Sequence, residues 1–322
     1  MKIYMQISFI IPHKGRFEML KQTLQSISEQ THNLNEIEVI VVSQTPEIQQ
    51  QNLLENSSLK LQIFIRPESD NISALRNYGV AVAQCDYLAF LDADISLSKN
   101  WTEQMILELS DVPERIISSG MQICHDDAPY IEKIRTSLSN VELDINVDFL
   151  PGCNLFLRKT SFDIIGGFPE HLITCEDYYF TDKATNFGKL FHSSAATFIH
   201  LGEDKSYKAM FYKEIWRGQS NFQSILGRNI PLREWPSFIV SPAIVLIFSL
   251  AILLLVFGQL SLALMVFLVA ALPVFVYSLR LFTLANKKIN FIYVVKFYVC
   301  YFPARAIGTV LGLFKSIGVK TH

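Results

Sequence analysis

Residues 87–97 read YLAFLDADISL, an apolar run that ends in Asp92 and Asp94. In an extended segment, carboxylates two residues apart point to the same side. Unpartnered, they repel and raise each other's pKa. A divalent cation removes the conflict. Mg²⁺ or Mn²⁺ takes one or two protein carboxylates and completes its shell with water and substrate phosphates. Such an ion neutralises charge developing on a diphosphate leaving group. The plain alternative is a solvated strand end, and the pair alone does not choose between them.

The surrounding elements place this pair. Ile7–Ile11 is a compact apolar run closed by Pro12-His13-Lys14-Gly15, which reads as a strand and a turn. Phe17, Leu20, Leu24 and Ile27 follow at helical spacing. Further strands are expected at Glu38–Val42, Leu61–Ile65 and Tyr87–Leu91, with helices around Ile72–Val82 and Trp101–Leu109. Short apolar strands alternating with helices predict a mainly parallel α/β sheet covered on both faces. Ligands of such sheets bind beyond the carboxyl ends of the strands, where Asp92 and Asp94 stand. Neither G-x-G-x-x-G after the first strand nor a P-loop motif occurs, so dinucleotide oxidoreduction and P-loop chemistry lack their phosphate cradles.

Composition narrows the class. Half of the 322 residues are hydrophobic, and net charge is −2. From Ser237 onward there are seven basic residues and no acidic one, so residues 1–236 hold 21 basic and 30 acidic side chains. An acidic front half argues against nucleic acid as a partner. The five cysteines form no C-x-x-C pair, which suits a reducing compartment better than a disulfide framework. The N-terminus carries no apolar run of signal-peptide type, so the front half is expected in the cytosol.

Domain boundaries are expected at residues 1–230 and 231–322. In the second part, Ser237–Phe257 and a stretch over residues 259–284 each reach the ~20 residues that cross a bilayer core. Arg228 and Arg233 precede the first stretch, and Arg280, Lys287 and Lys288 close the second. Basic outer ends and an uncharged hinge place both flanks in the cytosol. Phe291–Phe314 is interrupted by Lys296, Pro303 and Arg305, so it reads as an interfacial helix whose charges reach headgroups, or as a third span. A third span would put Lys315 and Lys320 outside, against the charge rule. The aromatics Phe211, Tyr212 and Trp216, with Arg217 and Gly218, line an acceptor entrance or anchor an interface.

Ser73-Ala74-Leu75-Arg76-Asn77-Tyr78-Gly79 followed by Phe90-Leu91-Asp92-Ala93-Asp94 resembles the A-R-N-x-G…FLDxD signature of family 2 glycosyltransferases. Ser8–Pro12 with Gly15-Arg16 is similar to their first strand and turn. Pro151-Gly152-Cys153-Asn154 through Arg158 resembles their acceptor-side strand, and Gly166-Gly167-Phe168 with Glu176-Asp177 resembles their GGF…ED pair. The likeness runs in order over residues 7–202. It implies a GT-A fold, a nucleotide-binding half fused to an acceptor half, and sugar transfer from a nucleotide-sugar with inversion. Asp94 would be the main Mg²⁺ or Mn²⁺ ligand, with Asp92 beside the metal or ribose and His200 completing the site. Asp177 would be the general base, supported by Glu176. Pro12, His13, Gly15, Arg16, Ser43, Arg76, Asn77, Ala93 and Gly152 would line the donor. Each has a plainer reading: acids favour helix N-termini, Arg76 can pair with an acid instead of phosphate, His200 can be a buried hydrogen-bonded histidine, and His13-Lys14 can be a simple turn.

Two departures matter. Where relatives carry a base-contacting aspartate after the second strand, this chain has Val41-Val42-Ser43, which leaves the nucleotide open. The Q-x-x-R-W motif of processive synthases is absent. The apolar stretches and basic flanks lead one to expect a multi-pass protein with a cytoplasmic catalytic domain, and the resemblance implies a bacterial setting, hence an inner membrane. The enzyme would move single sugars to a lipid-linked or other glycan acceptor in cell-surface polysaccharide synthesis. Transfer to polyprenyl phosphate or a small acceptor, or a non-catalytic scaffold of the same fold, are the alternatives.

Overall fold

A computed structural model of the chain describes residues 6–50, 53–54, 58–219 and 235–318. Nine strands form one mixed sheet: β1 Ile7–His13, β2 Ile37–Ser43, β3 Lys60–Ile65, β4 Tyr87–Leu91, β5 Ile95–Leu97, β6 Arg115–Ile123, β7 Ile145–Val147, β8 Asn154–Arg158 and β9 Lys189–His200. Their order is β3-β2-β1-β4-β8-β6-β9-β5, with β7 also on β9. The first four strands are parallel, as the βα alternation requires. The expected parallel character stops there: β8 runs antiparallel between β4 and β6, and β5 and β7 run antiparallel to β9.

The sheet is covered on both faces because side chains alternate along each strand. Phe9 and Ile11 of β1 enter one core with helices α1 (Phe17–Ser28) and α3 (Trp101–Ser110), through Leu20, Leu24, Trp101 and Met105. Ile10 and Phe90 enter the other with α2 (Ile72–Val82), α5 (Lys159–Ile165) and α6 (Glu176–Ala184), through Leu75, Val80, Phe162 and Phe180. On that second face the helix lies close to the strand: a side chain at Gly79 of α2 would collide with Ile10. The expected strands and helices of the first 110 residues all form, within a residue or two of their expected ends.

The domain boundary expected at residue 230 differs from the division the contacts make. One unit comprises residues 1–124 and 142–202, and the other residues 125–141 and 203–322. Helix α4 (Tyr130–Ser139), inserted between β6 and β7, therefore shares a unit with α7 (Tyr207–Gly218), α8 (Trp235–Val256), α9 (Leu260–Leu284) and α10 (Phe291–Gly318). The reason is chemical. Ile131, Ile134 and Met210 share an apolar cluster with Leu281, Val294 and Phe297, and Arg135 pairs with Glu214 at 2.5 Å.

Among the described residues, three helices are long and apolar enough to cross a membrane, at Phe238–Val256, Leu260–Leu284 and Phe291–Phe314. The third, left open between interface and span, meets the same length and composition criterion. Its basic residues do not behave as expected for headgroup contacts. Arg305 pairs with the buried Glu214 at 2.7 Å, and Lys296 lies 4.6 Å above the Tyr207 ring. A buried carboxylate needs a cationic partner more than a headgroup does. Arg228, Arg233 and Lys320, invoked for orientation, lie outside the described residues, as does the side chain of Lys315.

Candidate active site

The first unit carries its acids just past the carboxyl end of β4 and at the start of α6, with His200 ending β9. The chain turns immediately after Leu91, so Asp92 and Asp94 are not in the extended segment their spacing suggested, and each carboxylate has its own basic partner. Asp92 Oδ1 accepts from Arg76 at 3.0 Å. Asp94 Oδ2 accepts from Arg16 at 3.1 Å, and its Oδ1 lies 3.5 Å from His200 Nε2.

Arg76 is the hub of the first group. The expected choice between phosphate and acid falls here to acid. Its side chain is 1 % exposed and donates to Asp92, to Glu176 Oε1 at 2.9 Å and to the Gly152 carbonyl at 3.1 Å. One guanidinium thus ties the end of β4, the loop before β8 and the first turn of α6. Burial works against its charge, but Asp92, Glu176 and Asp177 outweigh that and hold its pKa above the ordinary value. Burial raises the pKa of Asp92 despite Arg76. It also raises Glu176, to about 7, with Asp177 adding to the rise and Arg76 opposing it.

Asp177 is oriented by backbone. Its Oδ2 accepts from Gly152 N–H at 3.1 Å and its Oδ1 from Tyr178 N–H at 2.7 Å. A carboxylate offers about four lone-pair sites, so acceptor capacity remains for a substrate proton. Gly152 packs tightly here: a Cβ would lie 3.0 Å from the Asp177 side chain and 3.1 Å from the Arg76 guanidinium, so both would have to give by a few tenths of an ångström.

The second group is assembled from three segments. Arg16 reaches Asp94 from the left-handed residue that starts α1, φ 55°. Cys175, φ 64°, starts α6 in the same way. Strain of this kind gathers at functional sites. His200 is paired in register with Ile95 on β5, and Leu201 N–H donates to the Asp94 carbonyl at 2.8 Å. Gly202 was not singled out in the sequence. A Cβ there would collide with Asp94 Oδ2, so its missing side chain makes the space the carboxylate fills. The one available signal was its place two residues after His200.

The remaining expected donor residues divide. His13 and Ser43 face each other across the parallel β1–β2 register, and His13 Nδ1 lies 2.9 Å from Ser43 Oγ. Burial lowers the pKa of His13, and its buried Nε2 has no hydrogen-bond partner. Gly15 N–H donates to Thr45 Oγ1 at 2.8 Å, and Pro12 is a buried part of β1. Ala93 packs on the first core, between the two aspartates. Asn77 is committed elsewhere. Its amide donates to the Phe168 carbonyl and to Glu170 and accepts from Phe168 N–H at 2.9 Å, pinning the Gly166-Gly167-Phe168 turn.

The arrangement fits a divalent ion with limited protein ligation. Among the described residues no three His, Cys, Asp or Glu side chains cluster as a complete cage. Asp94 and His200 offer one oxygen and one nitrogen donor side by side, which suits Mg²⁺ or Mn²⁺ taking its other ligands from water and phosphate.

Residues 8–166 match Glycosyl transferase family 2. This is a family 2 glycosyltransferase domain. The chain is similar over 190 residues, at 27 % identity, to Glycosyltransferase AglE of Haloferax volcanii, covering 56 % of this chain and 62 % of that protein. It is 28 % identical over 153 residues to the O-antigen chain rhamnosyltransferase WbaN of Salmonella anatum, covering 43 % and 48 %. The chain thus matches less than two thirds of either relative's length. Among solved structures, the mannosyltransferase PcManGT of Pyrobaculum calidifontis, in complex with GDP-Man and Mn²⁺, superposes with a TM-score of 0.61 over 96 % of this chain and 88 % of that one, at 14 % identity. At that identity the likeness establishes the fold. The GT-A-type sheet and the chain's three C-terminal apolar helices agree with the expected fold class.

Proposed function

We propose that the chain is an inverting glycosyltransferase that moves a single sugar from a nucleotide-diphosphosugar to a membrane-associated, polyprenyl-linked glycan acceptor during cell-surface polysaccharide synthesis. The observation that carries the reading is the separation of the two acidic groups. Asp94 with His200 and Arg16 makes one, Asp177 with the Arg76 hub the other, and they arise from different elements. An in-line displacement needs this separation, because the base must act on the side opposite the leaving group.

Asp94 and His200 would hold Mg²⁺ or Mn²⁺ on the donor diphosphate. Bound there, the ion supplies charge neutralisation as the diphosphate departs. Arg16, reaching Asp94 from a side chain 64 % exposed, adds a second positive charge on that side. His13 and Ser43, at the ends of β1 and β2, border the nucleotide. Asp177 takes the proton from the acceptor hydroxyl as its oxygen bonds to the anomeric carbon and the carbon–diphosphate oxygen bond breaks. Arg76 offsets part of the negative charge of Asp92 and Glu176 and so reduces their repulsion of the donor. The names of the relatives support the reading: one acts on O-antigen chains, and the structural neighbour holds GDP-Man with Mn²⁺. The apolar helices support a membrane setting, in which tethering raises the effective concentration of a lipid-borne acceptor. The charge asymmetry favours a cytoplasmic catalytic domain in an inner membrane.

Full-length protein in detergent, titrated with a panel of nucleotide-sugars with and without Mn²⁺, should bind at least one donor more tightly with the metal. Asp94→Asn should lose that metal effect. Asp177→Asn should keep donor binding and lose roughly 10²- to 10⁴-fold in transfer, the range for general base catalysis. Binding of no donor by the folded protein would sink the enzymatic reading and favour a scaffold.

A further inference from the structure

The second unit contains a helix whose outward face the sugar-transfer reading leaves unused. In α7 the buried residues Met210, Glu214 and Gly218 recur every four positions and face inward. The seam with α10 is close: a Cβ at Gly218 would lie 2.9 Å from Gly308, and one at Gly312 would press on the backbone of Gln219. Gly308 and Gly312 form a G-x-x-x-G spacing that lets helix backbones approach. Around this seam α10 presents Ile307, Val310, Leu311 and Phe314 outward, each more than 40 % exposed. The C-terminal turn of α7 is therefore fastened to the part of α10 that is itself apolar on its free side.

The opposite stripe of α7 is Lys208, Tyr212 and Trp216, again four residues apart. All three are exposed, Tyr212 by 63 % and Trp216 by 51 %. The only acid in α7 is Glu214, which is fully buried and paired with Arg135, Arg217 and Arg305. The free face thus combines two amphipathic aromatics with the Lys208 ammonium and no carboxylate, while the flanking Lys213 and Arg217 are paired with Glu203, Asp204 and Glu214. Aromatic rings of this kind settle at headgroup depth, and lysines beside them are drawn to anionic lipid. We infer that the Lys208–Tyr212–Trp216 face of α7 docks on a bilayer surface bearing anionic phospholipid headgroups. Its occupant is the lipid surface, distinct from any sugar acceptor, and the inference stands whether or not the chain transfers sugar.

The test uses the full chain in nanodiscs of phosphatidylcholine, with or without phosphatidylglycerol. The phosphatidylcholine is brominated near the headgroup or near the methyl end. Subtracting the emission of Trp216→Phe isolates Trp216 from Trp101 and Trp235. The expected result is quenching by the headgroup-proximal bromines and little by the deep ones. Phosphatidylglycerol should increase it, and Lys208→Gln should remove that increase. Trp216 emission that neither bromine position quenches overturns the inference; if two chains then occupy each nanodisc, the face belongs to a second copy. Quenching that is indifferent to phosphatidylglycerol overturns it equally, because the anionic headgroup is its content.

Discussion

At the residue scale, the most informative side chain is Glu176, whose carboxyl shares Arg76 with Asp92 and adjoins Asp177. Burial and Asp177 raise its pKa from 4.5 to about 7. A folded-state pKa above the unfolded value means the folded protein binds the extra proton. Stability associated with Glu176 is present below about pH 4.5 and is lost as pH rises through about 7. Thermal midpoints should therefore fall across that window, and the fall should shrink in Glu176→Gln. Transfer rates should also show an ionisation near neutral pH that disappears in the same variant. A wild-type profile that Glu176→Gln leaves unaltered would assign the ionisation to another group. Arg76 explains why these acids coexist: without it, three carboxylates would face one another with no counter-charge.

At the element scale, the Asp94 group depends on how β9 leaves the sheet. His200 ends the strand beside β5, and the chain passes Asp94 so closely that a Cβ at position 202 would collide with its carboxylate. Gly202→Ala should displace the Asp94 carboxylate and weaken metal-dependent donor binding by tenfold or more, about 1.4 kcal/mol. The sheet, anchored elsewhere by the Phe9–Trp101–Phe156 packing, should stay folded. Isothermal titration with Mn²⁺ present, alongside circular dichroism, separates the two effects. Unchanged donor binding in this variant would mean that Asp94 tolerates displacement and is not the ligand assigned here.

At the scale of the whole molecule, the second unit is organised around a buried charge as well as apolar packing. Glu214 meets arginines from α4, α7 and α10. Burial alone would raise its pKa, but Arg305, Arg135 and Arg217 hold it down at about 2. Its contribution is thus present above the ordinary carboxyl value of 4.5 and is lost as pH falls through about 2. Removing one partner of a buried ion pair costs about 3–5 kcal/mol. Glu214→Ala should lower the unfolding midpoint of the detergent-solubilised chain by several degrees, with a larger effect than Lys208→Gln on the free face of the same helix. Equal effects would show that the network is solvent-screened.

The sequence by itself determined much of this protein. Strand and helix periods located every element up to α3 except the three-residue β5, because alternation and 3.6-residue spacing are local properties that burial on both sheet faces imposes residue by residue. Charge-free length located the first two apolar helices for the same reason, and left the third, with Lys296 and Arg305, open. The ordered motifs over residues 7–202 named the family and most of the acidic residues now found at the strand ends. What only the tertiary structure decided are the partnerships. Asp92 meets Arg76, and Asp94 meets Arg16 and His200; the spacing of the two aspartates had suggested one shared ligand. Asn77 pins a turn, Gly202 makes room for Asp94, and Arg305 turns inward to Glu214. These pairs lie between 16 residues apart, for Arg76 and Asp92, and 108 apart, for Asp94 and Gly202. A charge two or four positions away can be read from a pattern, whereas a charge brought near by sheet order and helix crossing is fixed only when the chain closes on itself.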